Sequence, residues 1–203
     1  MKHVIVTRCK FDNESLFEKY FEMMKKYYIK SINNQTNKNF MIALIANKNH
    51  FDMIRQEIDK KIEMVRFEDK TKDYNEFIKK FENTLQTRHD CDDIMKNNYI
   101  EKIQNLYEQN KNKFDKFILN FHPTKFVDSD QKEYTHSRDY SKVCSMFSTL
   151  IQKKTDNGVF DVMHDHLSRI SRNIIYIKEP YVKLVIHGNN ALSKLNPNDK
   201  LIK

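Results

Sequence analysis

Phe40-Met-Ile-Ala-Leu-Ile-Ala46 is apolar without a break, and Lys116-Phe-Ile-Leu-Asn-Phe121 comes close. Such runs suit strands buried on both faces, the situation of a parallel sheet covered by helices. Parallel neighbours need long crossovers, so the same chain must also supply helices. From Ser15, the residues Leu16, Phe17, Tyr20, Phe21, Met24, Tyr27, Tyr28 and Ile32 recur at three- and four-residue steps. This spacing predicts an amphipathic helix with Asn13 or Ser15 as its N-cap. Phe51 to Ile62 repeats the pattern, Asn75 to Phe81 does so weakly, and Ile94 to Tyr107 predicts a strong helix. His3 to Thr7, Glu63 to Phe67 and the polar Asn83 to Arg88 supply further strands. Up to residue 121 the order is β-α-β-α-β-α-β-α-β, which predicts an α/β fold with a mainly parallel sheet flanked by helices.

After Pro123 the rhythm changes. Lys125 to Val127, Glu133 to His136 and Met146 to Gln152 read as short strands between polar turns. Val159 to Ile170 mixes a strand start with a helix, Ile174 to Ile177 and Tyr181 to Ile186 are strands, and the tail after Leu195 is polar. No repeat or linker divides the 203 residues, so the expectation is one domain, 1–203, with a more irregular, mixed second half from residue 123.

Composition removes several classes of function. The glycines are Gly158 and Gly188 alone, so neither a P-loop nor a dinucleotide fingerprint can form. Any nucleotide must be held without a glycine-rich cradle. Lys and Arg number 36 against 28 Asp and Glu, a formal net charge of +8. That favours nucleic acid, acidic headgroups or diphosphate metabolites, although the lysines are scattered enough to reflect coding bias. Cys9, Cys91 and Cys144 are odd in number and lack CxxC spacing, which speaks against disulfides or structural zinc and for a reducing, cytoplasmic setting. Met1 to Thr7 reads as a first strand and not a signal peptide. The longest apolar run falls far short of the ~20 residues of a membrane helix, so any membrane contact would be peripheral. Hydrolase elbows and His-Glu-x-x-His motifs are absent.

Thr87-Arg-His-Asp-Cys-Asp-Asp93 is the most informative segment. Asp90, Asp92 and Asp93 fall where a central strand should end, and ligands of open α/β sheets bind at that edge. Asp90 and Asp92 are two apart, so in extended backbone they share a face and suit one hard divalent cation. The plainer alternative is that Asp92 or Asp93 caps the helix expected from Ile94. Cys91, between two carboxylates, should have a raised pKa and make a poor nucleophile.

Here a resemblance becomes specific. His3-Val-Ile-Val-Thr-Arg8, with Ser31-Ile-Asn-Asn-Gln-Thr36 before Phe40, resembles the opening of GT-A (Rossmann-like) glycosyltransferases. The Thr87–Asp93 segment, followed by Tyr99-Ile-Glu-Lys-Ile103, is similar to the Arg-Leu-Asp-x-Asp-Asp segment of the rhamnosyltransferase branch, with His89 in place of an apolar residue. Val185-Ile-His-Gly-Asn-Asn190 resembles that branch's closing His-Gly-x-Asn. The resemblance implies transfer of a sugar from a nucleotide-sugar donor, UDP- or dTDP-linked, to a glycan or other hydroxyl acceptor. It implies Mn²⁺ or Mg²⁺ on Asp90 and Asp92, with His187 as a third ligand. Thr7, Arg8, Arg88, Asp90 and Asp93 then surround the nucleotide. Residues 1–122 would form the donor half and 123–203 the acceptor half.

His164-Asp165-His166 is a second constellation. In extended backbone the two histidines face one way and could bind metal or hold a catalytic Asp; on a helix they diverge by about 200°. The resemblance puts this segment on the acceptor side, with Asp161 or Asp165 as general base if the enzyme inverts, and His164 beside them. His187 ends a β-branched strand, and Gly188 permits a turn after it. Two rivals differ in class. A sugar-phosphate nucleotidyltransferase would want a glycine-rich first loop, which Thr7 to Phe11 lacks. A basic nucleic-acid-binding protein would not explain carboxylates at a strand end, since they repel phosphate, so no nucleic acid is expected.

Overall fold

The computed structural model describes residues 1–9, 11, 13–68, 72–122, 125–128, 132–135, 145, 147–161, 164–186 and 200–201. In chain order the elements are β1 (Lys2–Arg8), α1 (Glu14–Met24), a π-helical turn (Lys25–Ile29), α2 (Lys30–Asn33), β2 (Met41–Ile45), α3 (Lys48–Glu57), β3 (Glu63–Phe67), α4 (Lys72–Ile78) and β4 (Glu82–Arg88). Then come β5 (Ile94–Met95), α5 (Tyr99–Asn110), β6 (Lys116–Phe121), β7 (Lys125–Asp128), β8 (Glu133–Thr135) and β9 (Ser148–Lys154). A 3-10 helix (His164–Arg169), β10 (Ile174–Ile177), β11 (Val182–Ile186) and β12 (Lys200–Leu201) complete the chain.

The apolar runs lie where burial on two sides is available. The seven-stranded sheet has the order β10-β6-β9-β4-β1-β2-β3. All its pairings are parallel except those of β9, which lies antiparallel between β4 and β6. Every residue of β2 is buried, as its unbroken apolar sequence requires. This is the mainly parallel α/β architecture expected from the sequence. A five-stranded mixed sheet, β12-β8-β7-β11-β5, sits beside it. The sheets exchange strands across residue 122: β9 and β10 return to the first, and β5 belongs to the second. No helix among the described residues is long and apolar enough to cross a membrane.

Two elements differ from the sequence reading. Ile94 and Met95 do not begin the helix; they pair antiparallel with Lys183 and Val182 as β5, and α5 starts at Tyr99. Residues 164–169 form a 3-10 helix, and residues 159–161 form a turn and bend in place of the expected strand start, so the backbone at 164–166 is not extended. The first helix does begin at Asn13, whose Oδ1 accepts the Ser15 N–H. Its π-helical turn allows Tyr27, Tyr28 and Ile29 all to be buried, which three consecutive positions of a straight α-helix cannot readily achieve.

The polar strand β4 occupies the sheet centre because its neighbours satisfy it. Thr84 bonds Thr155 at 2.8 Å and Thr87 bonds Thr149 at 2.7 Å. Gln86 accepts from the Tyr74 hydroxyl and the Val159 N–H at 2.9 Å each, and donates to the Asn157 carbonyl. His3 is buried beside them, its Nε2 at 2.9 Å from Thr87 Oγ1 and its Nδ1 at 3.4 Å from the Gln104 amide. Burial lowers its pKa to about 3.

An unfolded chain protonates this imidazole near pH 6.5, whereas the folded one stays neutral. Between those values the unfolded state binds more protons, so stability falls as pH falls. His3→Gln keeps a donor and an acceptor but cannot titrate. It should cut the stability lost between about pH 7 and about pH 4.5 by about 2 kcal/mol, measured by urea unfolding at both pH values. An unchanged difference would mean that the ring is protonated in the fold.

Candidate active site

β1, β2 and β4 end side by side at Arg8, Ile45 and Arg88. Pairing runs on past the strands: Cys9 N–H donates to Ile45 O (2.9 Å) and His89 N–H to Val6 O (3.1 Å). This carboxyl edge carries Arg8, Arg88, Asp90 and Asp92. Arg88 Nε lies 3.8 Å from Asp90 Oδ1, and its guanidinium lies 5.0 Å from the Phe160 ring. Burial pushes the Asp90 carboxyl up; Arg88 pulls it back, Asp92 raises it again, and Arg8 lowers it. Asp92 is half-buried and also helps burial raise the Tyr20 phenol. Tyr20 of α1 therefore stands beside the cluster, which its place in a helical stripe did not reveal. Phe160 is likewise new, since only the fold brings it over Arg88.

Asp93 has a different place. It is 2% exposed, and its Oδ1 accepts the Val185 N–H at 3.0 Å. Burial, with Asp92 and Asp90 nearby, pushes its carboxyl well above the usual range. Because β5 intervenes before α5, neither Asp92 nor Asp93 caps that helix. The bond instead fastens the acidic loop to β11, the strand that leads towards residue 187. His187 itself lies outside the described residues, as do 188–190 of the closing motif. Among the described residues, no three His, Cys, Asp or Glu side chains gather to hold a metal ion.

Thr7 stands at the expected strand end, but its side chain is fully buried, with Oγ1 2.8 Å from the Tyr28 hydroxyl. Arg8, next in sequence, is exposed. His89 behaves as the apolar residue it replaces. It is buried between Tyr28 and Phe147, burial lowers its pKa to about 4, and its Nδ1–H donates to the Asp90 carbonyl at 2.8 Å. Cys91 is buried, and its thiol is pushed well up, first by a hydrogen bond with Cys9 and then by burial. The flanking carboxylates contribute to that rise but do not dominate it.

Asp161 is exposed and closes a turn, accepting the Gly158 N–H at 2.8 Å and a hydrogen bond from the Asn75 amide. It follows Phe160, so the turn reaches the Arg88 edge of the site. His164 and Asp165 open the 3-10 helix beyond it, and their side chains lie outside the described set. The Ser31–Thr36 motif works through Gln35. Its amide donates to Ser31 O and Lys96 O at 3.0 and 2.9 Å, and its Oε1 accepts Ile100 N–H at 3.1 Å, capping α5 from outside.

The profile of the family described as "Putative rhamnosyl transferase" matches residues 7–197. The chain belongs to that family. Its fold is that of nucleotide-sugar transferases: it superposes on S. aureus TarS with a TM-score of 0.54 at 11% identity, covering 92% of this chain and 37% of TarS. Against S. aureus TarS 1–349 in complex with UDP-GlcNAc the TM-score is again 0.54 at 11% identity, covering 97% of this chain and 62% of the other. The chain thus spans less than two thirds of these relatives. No curated protein matches its sequence.

The Asp93 bond makes a prediction about the loop. Asp93→Ala leaves the Val185 N–H buried without an acceptor and should cost about 1–3 kcal/mol. Asp93→Asn keeps an acceptor without a buried charge and should cost less than the alanine variant, as measured by denaturant unfolding. Equal losses in both variants would mean that the carboxylate, and not the acceptor, holds β11.

Proposed function

We propose that this family member is a metal-dependent glycosyltransferase, with a nucleotide-sugar donor bound at the carboxyl edge of β1, β2 and β4. The observation that carries the reading is the pair Asp90 and Asp92 at that edge with Arg8 and Arg88 beside them. Asp92 is among the groups that push the Asp90 carboxyl up; a hard divalent cation relieves such crowding of carboxylates, and oxygen donors suit Mn²⁺ or Mg²⁺. Asp90 and Asp92 would hold it, with His187 as the third ligand. When bound, it supplies positive charge opposite the leaving diphosphate. The residues of the chain do the rest. Arg8 and Arg88 face the phosphates, and the buried Asp93 keeps the loop in shape. The structures of S. aureus TarS in complex with UDP and with UDP-GlcNAc support a UDP-linked donor over a dTDP-linked one.

Transfer joins the acceptor oxygen to the anomeric carbon as the bond to the diphosphate breaks, and the acceptor's proton passes to a carboxylate. For an inverting transfer that base comes from the segment holding Asp161, His164 and Asp165, which follows Phe160, the residue whose ring lies under Arg88. Asp161 already accepts two hydrogen bonds, which favours Asp165 as the base and Asp161 as the residue that shapes the turn. Residues 1–122 would serve chiefly the donor and 123–203 the acceptor. The buried free thiols Cys9 and Cys91 suit work in a reducing compartment, the cytoplasm.

A thermal-shift panel tests the donor site, because a ligand of the native state raises the melting temperature by mass action. UDP and UDP-sugars with Mn²⁺ should stabilise the protein, the shift should vanish with EDTA, and Asp92→Asn should lose it. Asp165→Asn should keep the shift but lose transfer. No shift with any nucleotide would overturn the reading.

A further inference from the structure

The open face of the second sheet forms a basic cleft beginning one residue beyond the acidic loop. Strand register sets Ile94, Lys183 and Lys125 side by side across β5, β11 and β7. Two cavities of about 570 and about 400 Å³ share Ile94, Met95, Asn97 and Lys183 in their walls. On the floor, Lys125 (3.2 Å) and Lys183 both bond Glu133, so two cations share one carboxylate. Lys26, in the π-helical turn, and Lys30, on α2, line one side. Lys96 lines the other, with its Nζ 5.4 Å from the Tyr181 ring centroid; Lys102 reaches the same ring at 5.6 Å. Among the described residues Lys26, Lys30 and Lys96 have no carboxylate partner.

Five lysines against the one carboxylate of Glu133 leave this cleft with an excess of positive charge, which favours a negative occupant. A neutral sugar chain could use Tyr181 and the amides of Asn97 and Asn98, but it would leave the cations uncompensated. We infer that the Lys26–Lys30–Lys96–Lys125–Lys183 cleft binds an acidic carbohydrate chain, the acceptor, through its carboxylate or sulfate groups. The inference rests on the glycosyltransferase reading above for the word acceptor, while the binding chemistry stands on the cleft. An aromatic ring, Tyr181, and the side-chain amides of Asn97 and Asn98 in the wall fit a sugar chain better than an extended nucleic-acid strand.

Fluorescence anisotropy with labelled oligosaccharides on the whole chain tests it. The probes are a galacturonate hexamer, a heparin hexasaccharide, neutral maltohexaose and a short thymidine oligonucleotide. Both acidic sugars should bind, weaken with added salt, and bind at least about tenfold more tightly than maltohexaose. Lys30→Glu with Lys96→Glu, both exposed positions, should weaken acidic-sugar binding about tenfold or more. Lys113→Glu with Lys154→Glu removes the same charge elsewhere on the exposed surface and should leave binding unchanged. Acidic-sugar binding absent at millimolar probe, equal loss in both double variants, or tighter binding of the oligonucleotide would overturn the inference. The UDP–Mn²⁺ thermal shift, read on the same proteins, reports the donor site separately. A lost shift with intact acidic-sugar binding sinks the donor reading and not the cleft.

Discussion

The site depends on one buried hydrogen bond, from the Val185 N–H to the Asp93 carboxylate. A buried carboxyl is expensive unless a donor meets it, and this one also sits close to Asp90 and Asp92. Its bond joins the end of a parallel strand to a strand of a second sheet that is far away in sequence. With that joint made, the loop from Asp90 to Asp93 is held at both ends: Asp93 by β11, and His89 by its main-chain bond to Val6 and its ring's bond to the Asp90 carbonyl. Asp90 and Asp92 are then left at the rim, partly open to solvent, where charged chemistry is available.

Behind the rim, buried polar pairs join the apolar packing at the centre of the sheet. Thr87 is shared between His3 and Thr149, and Gln86 collects Tyr74, Val159 and Asn157. Buried networks of this kind specify one arrangement because every alternative leaves a donor or acceptor unmet. They also explain how a strand as polar as Glu82–Arg88 lies at the centre of a seven-stranded sheet. The same network draws residues 157–159 onto β4 and so carries Phe160 to Arg88.

The strands β1 to β4 and β6 were legible in the sequence because each is either uninterrupted apolar chain or flanked by helical periodicity. Ile94 and Met95 were not. Two residues cannot display a period of two, and their spacing to Tyr99 and Ile103 continues the helix that follows. Only pairing with Val182 and Lys183 makes them a strand, and such long-range pairing leaves no local mark. The strand-end position of Asp90 and Asp92 was legible from the helix and strand order alone. The roles of Asp93, Tyr20 and Phe160 were not, because each depends on an element brought in from elsewhere: β11, α1 packed over the edge, and the turn after β9. Gln35 shows the reverse case, where a motif noticed for its resemblance turns out to cap α5 from a distance.

The proposed donor edge and the basic cleft adjoin through residues 93–97, so the carboxylates proposed to meet a cation lie next to the cationic groove. That segregation of charge suits a reaction in which a diphosphate leaves on one side while an acceptor enters from the other. The central claim is that Asp90 and Asp92 hold the cation of a nucleotide-sugar complex. A crystal grown with UDP and Mn²⁺, with data collected at the manganese absorption edge, tests it most directly. The account predicts an anomalous peak between the carboxylates of Asp90 and Asp92 with the diphosphate on its far side. A nucleotide bound at this edge with no manganese peak there, or a peak held by other residues, would contradict it.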